Sequence, residues 1–227
     1  MTIVKKFIAP ALPLPEVEYN QQSQTNLIRA LRLYFNLLDD YFAKVVLDAL
    51  NGAAGGNGIS FPHIAASDST DQYAGGNNTP TVVKWNTLDS GFLWTLSPPG
   101  SATAAVAGVY KITFSLQFVN TANAVHDAVV WLKVNNANVA NSATTFSIPA
   151  RKSAGVPSYL AGYSEITFSV AVGDTIELYW ATDQAATSGG GLGVYILHDA
   201  AQTVPYARPA IPSAIGSITY VSALPPP

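Results

Sequence analysis

Three histidines, His63, His126 and His198, are the side chains best suited to proton transfer or metal ligation at neutral pH in this chain. They stand far apart, with no second histidine or carboxylate at ligand spacing, so each reads as a surface or loop histidine. Cysteine is absent, which removes thiolate metal sites, disulfides and a thiol nucleophile together. No Gly-x-Ser-x-Gly elbow occurs. The run Gly189-Gly-Gly-Leu-Gly193 lacks the Lys-Ser/Thr pair of a phosphate loop and opens no helix, so it reads as a connection between strands. Glycoside hydrolysis needs two carboxylates, and Glu165, Asp174 and Glu177 are the candidates near one turn. A β-sandwich can carry such a pair, but a fold alone licenses no activity. Asn77-Asn78-Thr79 has the form of a glycosylation acceptor; with no secretion signal recognised, it reads as a polar loop. The expectation is a non-enzymatic protein with no cofactor and no metal.

Binding chemistry is carried by aromatic side chains instead. Tyr159, Tyr163, Tyr179 and Tyr195 are candidates for an outward-facing surface, where a phenol offers an apolar face and a polar tip to a sugar or a protein. The competing reading packs the same rings at a subunit seam. Interfaces are enriched in Tyr, Trp and Phe and depleted in charge.

Composition bears on the same choice. The chain has 227 residues, of which 48% are hydrophobic and 11% charged, against about 25% charged in an average soluble domain. Such a chain stays soluble through Ser, Thr, Asn, Gln and Gly, or by burying surface against copies of itself. The net charge is −3 and no basic patch appears, so nucleic acid is not an expected partner. No stretch of eighteen apolar residues occurs, so no membrane-spanning helix is expected. The apolar start, Thr2-Ile-Val-Lys-Lys-Phe-Ile-Ala9, is too short for a signal sequence and is interrupted by Pro10, Pro13 and Pro15.

The elements that must position these residues change texture along the chain. Residues 1–19 are proline-rich and read as an extended arm. Residues 20–50 read as the one helix, capped by Asn20 or Ser23. Ile28, Leu31, Phe35, Leu38, Phe42, Val45 and Ala49 step by three and four into a heptad-like seam, widened by Leu27, Tyr34 and Tyr41. Such a seam serves a helix packed on its own domain, or one bundled with symmetry mates or docked on a larger assembly. Residues 51–58, Asn-Gly-Ala-Ala-Gly-Gly-Asn-Gly, read as a flexible hinge.

From about residue 80 the period becomes two. Tyr110, Ile112, Phe114, Leu116 and Phe118 alternate with Lys111, Thr113, Ser115 and Gln117, the pattern of a half-buried strand. Ile166, Phe168, Val170 and Val172 repeat it, and Ile176, Leu178 and Trp180 follow the Gly173-Asp174 turn, so the two runs read as a hairpin. Further strands are expected at 81–88, 92–96, 128–134, 143–148, 191–197 and 215–222. Eight or nine short strands indicate a mainly β protein, an antiparallel jelly-roll sandwich over 59–227, preceded by the extended arm and one α-helix.

Three segments carry a family resemblance: Ala107-Gly-Val-Tyr-Lys-Ile-Thr-Phe-Ser115, Val130-Trp-Leu-Lys-Val-Asn135 and Val172-Gly-Asp-Thr-Ile-Glu-Leu-Tyr-Trp180. In this order they resemble the C1q/TNF-like jelly-roll modules of phage and large-virus structural proteins, tailed bacteriophages above all. Ile211-Pro-Ser-Ala-Ile-Gly-Ser-Ile-Thr-Tyr220 matches the closing strand of that set. Leu12-Pro-Leu-Pro-Glu-Val-Glu-Tyr19 with Leu27-Ile-Arg-Ala-Leu-Arg-Leu-Tyr-Phe-Asn36 is similar to the attachment end of such proteins, including those of cyanophages. The Gly- and Pro-rich stretch 181–214 departs from the pattern. The resemblance implies a homotrimer located in the virion. Residues 1–50 would anchor it to capsid or tail proteins, and the jelly roll would project as a fibre towards a host surface glycan or protein. The alternative is a cement or decoration protein lying across the head.

Overall fold

A computed structural model describes Thr25, residues 27–39 and residues 61–224. The chain divides into two compact units, Met1–Ser60 and Phe61–Pro227. In the first, Thr25 and residues 27–39 are helical, forming α1, as expected from a run rich in Leu, Arg and Ala. Ile28 and Phe35 are exposed on α1, and Leu31 and Leu38 are half-buried. Leu33 and Leu37, outside the expected seam, are exposed as well, so the apolar surface of α1 is broader than one stripe. The proline-rich arm 1–19, the seam positions Phe42, Val45 and Ala49, and the hinge 51–58 lie outside the described residues.

The described residues of the second unit form thirteen strands: β1 (His63–Asp68), β2 (Thr81–Val82), β3 (Thr87–Phe92), β4 (Trp94–Ser97), β5 (Ser101–Ala104), β6 (Gly108–Asn120), β7 (His126–Val134), β8 (Ala137–Asn138), β9 (Thr144–Ile148), β10 (Ser158–Val170), β11 (Thr175–Thr182), β12 (Val194–Ile196) and β13 (Ala214–Ser222). One sheet runs β10–β6–β13–β1–β3, with β12 also paired to β6; it is called the β6 sheet below. The other, the β11 sheet, runs β4–β5–β11–β7–β8, with β2 on β11 and β9 on β7. The pairings within both sheets are antiparallel. This is the antiparallel jelly-roll sandwich that the alternation predicts.

The core lies between the sheets. Tyr110, Ile112, Phe114, Leu116 and Phe118 point inward from β6 and share one cluster with Val130 and Leu132 of β7 and Ile176, Leu178 and Trp180 of β11. Each such side chain contributes about 1.5–3 kcal/mol by leaving water. The aromatic rings need room, and glycine supplies it on β10 and β13, which flank β6. A Cβ at Gly162 of β10 would lie 2.7 Å from Phe118 Cε2, and one at Gly216 of β13 would lie 2.6 Å from Trp85 Cη2.

Several sequence expectations are corrected. β10 and β11 are not a hairpin: β10 pairs with β6 and β11 with β7, β5 and β2, in opposite sheets. Gly173, at φ 87°, and Asp174 turn the chain across the edge of the sandwich. Asp174 fixes that turn by accepting the Ala171 amide at 2.7 Å and the Asn135 side-chain amide at 2.7 Å. Val172 lies beyond the end of β10 and is 68% exposed, so it is not a core residue. The expected strand 81–88 is split between the two sheets as β2 and β3, and Val83–Asn86 crosses between them. The expected strand 92–96 breaks at Leu93, whose φ of 58° separates β3 from β4. Strands β1, β5, β8 and the first half of β10 were not anticipated. β5 reads Ser-Ala-Thr-Ala and β8 Ala-Asn, too weak in hydrophobicity to register.

Candidate functional site

The outward face of the β6 sheet follows from strand alternation. Along β10 the inward positions are small or apolar, including Ser158, Gly162 and Phe168, which turns Tyr159 and Tyr163 to solvent at 59% and 62% exposure. Register places Tyr163 opposite Ser115 of β6, and Ser115 opposite Ile215 of β13, which is 48% exposed. Tyr163, Ile215, Thr113, Ser115 and Ser217 border a shallow depression of about 140 Å³. Thr113 and Ser217 close its polar side with a 2.8 Å hydroxyl–hydroxyl bond. Lys111 and Glu165 are the only charged side chains on the outward positions of β10, β6 and β13, and they pair at 3.4 Å. An exposed pair of this kind contributes little to stability. The face is therefore nearly neutral and exposes Tyr159, Tyr163 and Ile215.

Tyr195 joins the same side of the sandwich. It sits in β12 opposite Val119, and Val119 lies opposite Tyr159, so the two tyrosines flank one β6 residue. Tyr73 stacks on Tyr195 with ring centroids 5.1 Å apart and planes 15° from parallel. The Tyr195 hydroxyl is pushed up to about 12, first by burial and then by the neighbouring Asp71, Tyr73 and Tyr159. Asp71 is held in place by the Tyr73 hydroxyl at 3.4 Å and the His198 amide at 2.9 Å. Tyr179 stands apart, on the outward side of the β11 sheet. Lys133 Nζ lies 3.9 Å from its ring centroid and Trp131 is 6.0 Å away. The lysine covers one ring face, so Tyr179 is a packed residue of that sheet rather than a neighbour of the other three.

The histidines reach no constellation. His126 Nδ1 lies 3.0 Å from Asp183 Oδ2, a pairing across fifty-seven positions that sequence spacing could not show. His63 contacts the Phe61 carbonyl and the Ser90 hydroxyl. Burial raises the Asp183 carboxyl, but hydrogen bonds from His126 and the Asp127 amide, with the His126 charge, bring it below its ordinary value. No group of three His, Asp or Glu side chains converges on a metal position among the described residues. Glu165 and Glu177 face outward from opposite sheets, so they form no carboxylate pair.

Sequence reading missed Tyr73 and Arg151. Both lie in connections without periodicity, and their neighbours Tyr195 and Thr121 are remote in the chain. No family model matches the chain, and no curated protein matches it in sequence. Among solved structures, the globular domain of zebrafish complement 1qA protein is similar at 14% identity and a TM-score of 0.39, over 72% of this chain and 99% of that one. Murine APRIL is similar at 13% identity and a TM-score of 0.43, over 70% of this chain and 99% of that one.

Proposed function

We propose that the chain is a structural protein of a tailed-bacteriophage particle. In this reading it is a homotrimer attached to head or tail by residues 1–50, with the jelly roll projecting for contact with a host surface. The observation that carries the self-association is the outward face of the β6 sheet. Tyr159, Tyr163 and Ile215 are exposed there on a surface with one compensated ion pair. A face so poor in charge and rich in aromatic groups has the composition of an interface core. The exposed Ile28, Leu33, Phe35 and Leu37 of α1 add a second apolar surface suited to contact with other chains. The virion setting rests on the ordered resemblance of the strand motifs and of segments 12–19 and 27–36 to phage structural proteins.

Light scattering of the full chain tests the assembly. A mass of three chains is expected, and Tyr163→Asp with Ile215→Asp should shift it to one chain while the far-ultraviolet spectrum stays β. A stable monomer in the parent protein overturns the trimer. Cryo-electron microscopy of particles tests the setting. A jelly roll standing off the capsid or tail fits a fibre, and one lying flat over capsomer junctions identifies a cement protein instead.

A further inference from the structure

A pocket of about 360 Å³ opens between the connection leading into β10 and the one leading into β12. Tyr73, Thr121, Arg151, Thr187, Ser188 and Tyr195 line it. Its frame is built from satisfied hydrogen bonds. Thr121 Oγ1 donates to the Gly193 carbonyl at 3.1 Å and accepts the Gly193 amide at 3.0 Å. The Arg151 amide donates to the Ala122 carbonyl at 2.8 Å. Buried Asn120 secures that corner by accepting the Ala122 amide and donating to the carbonyls of Ala124 and Pro149. At Gly193 a Cβ would come within 2.7 Å of Gln184 O and Ala186 N, so glycine lets the loop fold back on itself.

Among the described residues, Arg151 is the only charged side chain lining this pocket. Its guanidinium makes one 3.5 Å contact, to the Thr121 carbonyl, and has no ion-pair partner among the described residues. Asp71, behind the Tyr73 hydroxyl and the His198 amide, is not part of the lining. A half-buried guanidinium with open donors, in a lining that holds the Thr187 and Ser188 hydroxyls, is complementary to a carboxylate, which its planar fork binds in bidentate fashion. The stacked Tyr73–Tyr195 pair forms an aromatic wall beside it. Such a wall suits the apolar face of a sugar ring, and the Thr187 and Ser188 hydroxyls can exchange hydrogen bonds with sugar hydroxyls. The volume lies within the roughly 300–1,000 Å³ of small-ligand sites.

We propose that this pocket binds a carboxylate-bearing saccharide unit, with Arg151 on the carboxylate and Tyr195 against the ring. The proposal deepens the host-attachment reading and rests on it for the source of the sugar. The full chain is titrated by calorimetry with galacturonate and glucuronate oligosaccharides and with sialyllactose, alongside their neutral galactose, glucose and lactose counterparts. Saturable binding of at least one acidic saccharide, without binding of its neutral counterpart, is expected. Arg151→Gln should weaken it at least tenfold, Arg151→Lys should fall between, and Tyr195→Phe should retain it while Tyr195→Ala loses it. Binding by none of the acidic probes, or equal binding of acidic and neutral ones, overturns the proposal. So does unchanged affinity in the folded Arg151→Gln and Tyr195→Ala proteins, folding being checked by thermal melts. Adsorption of particles lacking the chain tests host attachment separately. An adsorption defect without saccharide binding overturns the pocket alone, and saccharide binding without an adsorption defect overturns the attachment role alone.

Discussion

The Gln72 side chain clamps the backbone of Lys84: its Oε1 accepts the Lys84 amide at 2.7 Å and its Nε2 donates to the Lys84 carbonyl at 3.2 Å. Gln72 is 1% exposed, and the same Nε2 reaches Ser213 Oγ at 3.1 Å. Lys84 belongs to the segment that crosses between β2 and β3. The amides of Val83, Trp85 and Asn86 donate there to the carbonyls of Leu178, Pro99 and Ser67, and the glutamine satisfies both backbone groups of Lys84 between them. Gln72→Leu keeps much of the volume and strands these polar groups, at about 1–3 kcal/mol for each one left unsatisfied. A loss of at least about 2 kcal/mol in urea unfolding is expected. A loss below about 0.5 kcal/mol would mean that water substitutes for the amide.

Gly216 admits the Trp85 ring to the core, because a Cβ there would meet it at 2.6 Å. Gly216→Ala should lower stability by about 1–3 kcal/mol through overpacking. The double variant with Trp85→Leu should recover part of that loss, measured as a coupling energy in a mutant cycle. Additive losses would show that the ring and the glycine do not interact.

Leu93 holds φ 58° between β3 and β4, a left-handed conformation that costs a non-glycine residue about 1–2 kcal/mol. It is also exposed, so little packing is lost on replacement. Leu93→Asn should raise the melting temperature, and Leu93→Val, with its branch at Cβ, should lower it. The reverse order in calorimetry would refute strain at this position.

Asp183 has a depressed carboxyl in the folded protein, with burial opposed by the stronger pull of His126 and the Asp127 amide. A depressed folded value stabilises above the unfolded value, near pH 3.9, and the contribution fades as pH falls through the folded one. Melting temperatures of the parent and Asp183→Asn proteins should therefore differ at about pH 6 and converge as the pH falls below the unfolded value and through the folded one. The gap should be small, because the Asp183 side chain is half exposed. A difference that is constant over this range would assign the effect to something other than ionisation.

Tyr195 titrates in the opposite sense, its hydroxyl raised to about 12 by burial and then by Asp71, Tyr73 and Tyr159. An unfolded tyrosine ionises near 10, so folding stability from this group is complete below about pH 10 and declines as pH rises towards 12. A difference titration at the phenolate absorbance, parent against Tyr195→Phe, should show the missing group ionising late. A missing group with a midpoint near pH 10 would place Tyr195 in water.

Alternation on β6 and β11 made the inner faces of both sheets legible, because large apolar groups occupy every second position there. β10 was legible only from Ile166 onward. Its first half turns Tyr159 and Tyr163 outward and Ser158 and Gly162 inward, the reverse of the usual pattern. Gly162 is small because Phe118 fills the space, and that contact joins residues forty-four positions apart. The tyrosine set was legible as residue types and not as a grouping. Tyr179 left the group because β11 belongs to the other sheet, and Tyr73 entered it by stacking on Tyr195.

Local sequence determined the mainly β character of residues 61–224, the inward sets of β6 and β11 and the absence of any thiol chemistry, since these depend on residue type and a period of two. Tertiary structure decided which strands pair, that the chain at Gly173-Asp174 crosses between sheets instead of closing a hairpin, and that Arg151 and Tyr195 line one pocket. Those outcomes depend on contacts between remote segments and on ring-sized spaces that only the assembled sandwich creates, so no window of sequence contains them.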